Sequence, residues 1–137
     1  MTTRDQHSNI KPQLVVAPGT KSATVTSSAV DTQGYESVEF LTSIGAAGDT
    51  LSGTVLFTQK LQDSPDGSTW TDVSSTYLLG SPAVINAPSF NSTVQSVGYV
   101  GSARYVRTVL TATGTMSSGT PIAVNAILGH PHIRPVV

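Results

Sequence analysis

RYVRTVLTAT, residues 104–113, decides the fold class of this chain. In extended backbone Val106, Thr108, Leu110 and Ala112 fall on one side, and Tyr105, Arg107, Val109 and Thr111 on the other. A period of two carried by β-branched and aromatic residues marks a strand with one face turned to a core. The same period recurs outward from this stretch. IAVNAIL (122–128) aligns Ile122, Val124, Ala126 and Leu128. ESVEFLTSI (36–44) aligns Val38, Phe40, Thr42 and Ile44, and TVLFTQKLQ (54–62) aligns Val55, Phe57, Gln59 and Leu61. Weaker alternation runs through KSATVTSSAV (21–30) and STVQSVGYV (92–100).

Turn chemistry separates these runs. GAAGDTLSG (45–53) is a glycine-rich loop, and SPDGSTW (64–70) holds Asp66-Gly67, a pair suited to tight reversal before a return strand at Thr69–Val73. TGTMSSGTP (113–121) is a third turn, and 74–91 reads as irregular, with Pro82 and Pro88 around Ala83-Val84-Ile85. The chain thus reads as seven or eight strands and no helix: an all-β, antiparallel two-sheet sandwich, jelly-roll-like. Residues 1–20, with Pro12 and Pro18, read as an extended N-terminal arm whose removal leaves the body folded. Residues 21–129 form the sandwich domain, and GHPHIRPVV ends in an extended tail, residues 130–137.

Composition agrees. Val, Ile, Thr, Tyr, Phe and Trp number 49 of 137, against 37 for Ala, Leu, Glu, Lys, Gln, Arg and Met. Charged residues make up 11%, the net charge is −1, and seven scattered Lys and Arg form no basic stripe, so no nucleic-acid partner is expected. Cysteine is absent, which excludes disulfides and thiolate chemistry. No apolar run approaches the roughly 18 residues that span a bilayer, and no secretory h-region is visible. Synthesis and folding in a cytoplasm, without a membrane partner, is the expectation.

Few residues invite chemistry. The acids sit in or beside turns, and Glu36 and Glu39, three apart, face opposite sides of a strand and form no dyad. His130 and His132, at a spacing of two, are able to share a metal, with His7 as the only other histidine. The plainer reading is a solvated tail, and no catalytic, cofactor-binding or metal residue is assigned. Trp70 could stack on a sugar. With eight aromatics in the chain, packing into the core is preferred. Tyr99, Tyr105, Arg104 and Arg107 read as strand residues, with a protein interface second for the arginines.

Two resemblances add to this. SPDGSTWTDV (64–73) and GSARYVRTVL (101–110) resemble motifs of discoidin-like, galactose-binding jelly-roll domains over about 20 residues, without the cysteine bracket common there. Over residues 35 to the C-terminus the chain resembles small structural proteins of tailed bacteriophages and prophages. SVEFL (37–41), KLQDSPDGSTWTDV (60–73), VGYVGSARYVR (97–107) and LGHPHIRPV (128–136) follow in the same order. That resemblance implies a non-enzymatic virion protein, foremost a capsid decoration protein on the outer surface of the shell. It would bind the major capsid protein and self-associate, with a trimer as the guess. A tail or head–tail connector protein, and a carbohydrate-binding module, are the alternatives.

Overall fold

The structure, a computed structural model, describes residues 4–135. Six long strands carry the fold: β1 (Ile10–Lys21), β4 (Tyr35–Ile44), β5 (Leu56–Ser64), β9 (Thr93–Tyr99), β10 (Tyr105–Thr113) and β11 (Thr120–Pro131). Five two-residue strands complete the sheets: β2 (Val25–Thr26), β3 (Val30–Asp31), β6 (Thr71–Asp72), β7 (Leu78–Leu79) and β8 (Val84–Ile85). Single 3-10 turns lie at His7–Asn9, Ser75–Tyr77 and Pro88–Phe90. The first sheet runs β1-β11-β4-β9-β7. In the second, β5 and β10 pair centrally, with β2 and β3 along the free edge of β10, and β6 and β8 along that of β5. Every pairing is antiparallel, so the chain is an all-β two-sheet sandwich.

The period of two sets the core. Phe40 and Ile44 of β4, Phe57 and Leu61 of β5, Val106 and Leu110 of β10, and Ile122 and Val124 of β11 are all buried. Burying such side chains contributes about 1.5–3 kcal/mol each. The 64–70 reversal forms as its residues dictate. Asp66 Oδ1 accepts from Ser68 N and Thr69 N at 2.9 and 3.0 Å, and Gly67 takes φ 80.

Three expectations need correction. Ile10–Thr20, read as arm, is extended but belongs to β1, which pairs along β11 from Ile10↔Gly129 to Lys21↔Thr120. Proline suits such an edge strand because the outward N–H has no ladder bond to make. Register shifts between Leu14 and Val16 and between Val16 and Gly19 let Val15 and Val16 both turn inward, 5% and 4% exposed. Only residues 4–9 precede the sheet within the described part of the arm; residues 1–3 lie outside it. The tail also begins later than expected, since His130 and Pro131 belong to β11 and Pro131 pairs with Tyr35. Residues 136–137 lie outside the described residues. Finally, 21–30 is two short strands broken at Ser27, whose hydroxyl accepts from Thr108 N (2.9 Å) and so leaves the β period.

Candidate functional site

The two outer faces of the sandwich differ in chemistry. On β4 the core takes Val38, Phe40, Thr42 and Ile44, so Ser37, Glu39, Leu41 and Ser43 turn outward. The cross-strand register extends this outer face in rows. One row runs Leu14, Asn125, Leu41, Ser96; a second runs Pro12, Ile127, Glu39, Gly98; a third runs Ala123, Ser43, Val94. Leu14 (53%), Leu79 (61%) and Val94 (61%) are well exposed. Glu39 is the only charged residue in these rows, and a Cβ at Gly98 would come within 2.7 Å of its Oε2. The paired rows are therefore sparsely charged and mix exposed apolar side chains with Asn125, Ser43 and Ser96, and at one end Arg134 and His130 line a pocket together with Glu39 and Ile127.

The outer face of the second sheet is polar. Arg107 of β10 donates through Nε to Gln62 Oε1 (2.9 Å), and Gln62 Nε2 donates to Asp72 Oδ1 (2.8 Å). Lys60 pairs with Asp72 at 3.3 Å. These bonds hold the Asp72 carboxyl below its ordinary pKa, the Gln62 amide first and Lys60 second. Trp70 lies on this face, with the Arg107 guanidinium 4.2 Å above its ring centroid. The expected core packing of Trp70 is thus corrected. Asp72 pairs with Gln62 on the outer side, and Trp70, two residues earlier, shares its parity. Val73, of opposite parity, packs against the core.

Arg104 forks onto Asp31, Nε to Oδ1 at 3.0 Å and Nη2 to Oδ2 at 2.9 Å, and lies 5.1 Å from the Tyr105 centroid. The Arg104 bond holds the Asp31 carboxyl down. The histidines diverge. His130, in left-handed backbone at φ 50, bonds Ser37 Oγ through Nδ1 at 2.9 Å, whereas His132 meets Glu36. His7 sits exposed in the first 3-10 turn. Among the described residues no three His, Asp or Glu side chains are placed to hold a metal ion. Beside His132 an open groove of about 620 Å³ runs between Gln33-Gly34-Tyr35 and Pro131, Ile133 and Pro135, its walls mostly apolar. Glu36 and Glu39 lie on opposite sides of β4, as their spacing requires.

Two arrangements escaped the sequence reading. Gln59 is buried at 4% exposure and bridges the sheets. Its Nε2 donates to Thr42 Oγ1 (3.1 Å) and Thr108 Oγ1 (3.0 Å), and its Oε1 accepts from Ala83 N (3.3 Å). A polar residue on the apolar side of 54–62 was the signal. Asp49 accepts from the backbone N–H groups of Ser117, Ser118 and Gly119 and so ties two loops. These donors, Gly119 first, lower its pKa. Nothing in GAAGDTLSG names that distant partner.

No family model matches this chain, and no curated protein does. Among solved structures, the crystal structure of FlhE is similar over 88% of this chain and 96% of its own, at 11% identity and a TM-score of 0.34. A superposition that loose carries no functional weight.

Proposed function

We propose that this protein is a non-enzymatic structural component of a tailed-phage or prophage virion, docking on the outer capsid surface as a decoration protein. The observation that carries the reading is the outer face of the first sheet, which exposes Leu14, Leu79 and Val94 and holds Glu39 as the only charge in its paired rows. Large exposed apolar faces on soluble domains mark contact with other proteins. The ordered motifs shared with phage structural proteins, from SVEFL to LGHPHIRPV, supply the kind of partner, the major capsid protein. On this reading the chain is made in the host cytoplasm and ends on the capsid. A tail or connector role would use the same face. The carbohydrate reading is weaker, because Arg107 occupies one face of the Trp70 ring that a sugar would stack on.

The test is size-exclusion chromatography with light scattering of the protein mixed with purified heads. Co-elution with heads is expected. Leu14→Lys, at an exposed outer-face position, is expected to weaken binding at least about tenfold without lowering the melting temperature. A protein that ignores heads but travels with isolated tails would overturn capsid decoration.

A further inference from the structure

The outer face of the second sheet carries one cation that no described carboxylate neutralises. Arg107 of β10 lies directly opposite Gln62 of β5, and Gln62 lies opposite Asp72 of β6. The Gln62 amide stands between the guanidinium and the carboxylate of this row, accepting from Arg107 Nε and donating to Asp72. Lys60, two residues before Gln62 on the same face, takes Asp72 as its partner. Lys60 pairs across the ladder with Val109, which makes it a diagonal neighbour of Arg107, about 7–8 Å away. The cluster therefore holds two cations and one carboxylate. The other acids nearby are committed: Arg104 forks onto Asp31, Tyr99 donates to Asp63, and Asp66 accepts from the backbone of its own turn.

The guanidinium is also held in place. It rests 4.2 Å from the Trp70 ring centroid, and Gln62 fixes its Nε at 2.9 Å. Nη1 and Nη2 have no acceptor among the described residues. An arginine on an ordinary surface gives up rotamer freedom when it engages an acid, which cancels much of the gain. Here stacking and the Gln62 bond have already restricted it. The two Nη groups present N–H donors from one planar fork, which matches the two oxygens of a carboxylate.

We propose that Arg107, with Trp70 beside it, is the docking point for a carboxylate side chain on an acidic segment of a protein partner. The carboxylate takes the free Nη donors and brings the cluster to two cations and two acids. Charge complementarity selects an acid, and the setting selects one carried on a peptide. A free ion on an open sheet face stays largely in water and gains little. A peptide also covers the half-buried Trp70, and arginine and tryptophan are the residue types that dominate protein contacts. The inference does not rest on the virion reading. It uses the outer face of the second sheet, whereas that reading uses the outer face of the first.

The experiment titrates the full chain with a blocked tetraglutamate peptide and follows the Trp70 indole N–H and Arg107 Nε–H resonances. Trp70 is the only tryptophan, so its signal reports on this site alone. Saturable shifts are expected with tetraglutamate and none with tetraglutamine. The affinity should fall as ionic strength rises from about 0.01 to 0.15 M, because the contact is near the surface. Arg107→Gln is expected to weaken binding at least about tenfold. Arg107→Lys keeps the charge and a long stem over Trp70 but loses the planar fork, and is expected to weaken binding several-fold. It carries the test should Arg107→Gln disturb the melting profile. No shift with tetraglutamate, equal shifts with tetraglutamine, or undiminished affinity in Arg107→Lys overturns the proposal. Sulfate or a uronic acid bound as tightly as the peptide overturns it too, by marking a site for small anions or acidic sugars. Head binding is a separate readout, so failure of one leaves the other standing.

Discussion

Tyr99 is 3% exposed, yet its hydroxyl is fully used, donating to Asp63 Oδ2 (2.8 Å) and accepting from Ala103 N (3.1 Å). It pins the 100–104 connection to β5, and a Cβ at Gly101 would strike the hydroxyl at 2.4 Å. Burial first, and the bond to Asp63 second, push its pKa from 10.0 up to about 12. The folded pKa lies above the unfolded one, so this contribution is intact below pH 10 and is lost as pH rises through about 12. Tyr99→Phe leaves the Asp63 carboxylate and the Ala103 N–H unmatched and is expected to cost about 1–3 kcal/mol in urea unfolding. The variant should also flatten the alkaline loss of stability; an unchanged alkaline limb would show that another group governs it. At this scale the sequence identified Tyr99 only as a strand residue, because its partner lies 36 positions away. Trp70 was misplaced for a different reason: total aromatic bulk pointed inward, while local parity with Asp72 pointed outward, and parity decides where a side chain goes.

β1 shows how an element hides from its own sequence. Its prolines and weak period look like an arm, but β11 supplies a ladder that tolerates both features at an edge. Val15 and Val16 together contribute about 3–6 kcal/mol by burial, a large part of the stability of a typical domain. Deleting residues 1–20 is therefore expected to lower stability by at least about 3 kcal/mol in thermal or urea unfolding, and to bare the long edge of β11 to aggregation. An unchanged melting curve for the truncated chain would return β1 to the role of an arm. β7 and β8 are equally illegible, two residues each, because a pair that short leaves no period to read.

For the whole molecule, the junction of the two sheets passes through Gln59, Thr42 and Thr108. A satisfied polar network in a core is costly to break in part, since each orphaned group keeps its desolvation penalty. Gln59→Leu, which keeps the volume, is expected to cost about 1–3 kcal/mol. Gln59→Ala adds a cavity and is expected to cost more, about 2–5 kcal/mol by analogy with other large-to-small core changes. Urea titrations of both variants check the order; equal losses would mean that the added cavity costs nothing there, and no loss in Gln59→Leu would mean that packing alone, and not the hydrogen bonds, joins the sheets. The outer faces of the two sheets are set apart at the same scale, one with Glu39 as the only charge in its paired rows, the other carrying Lys60, Asp72 and Arg107.

The sequence by itself determined the all-β class, the inward faces of β4, β5, β10 and β11, and the reversal at Asp66-Gly67. Each follows from a period of two or from local turn chemistry within a few residues. Only the tertiary structure decided that Ile10–Lys21 is a strand, that Trp70 lies outside under Arg107, and that His130 and His132 part company. Those features depend on which strands meet across long stretches of chain. Register between distant strands is written in the fit of whole faces to one another, not in any local pattern.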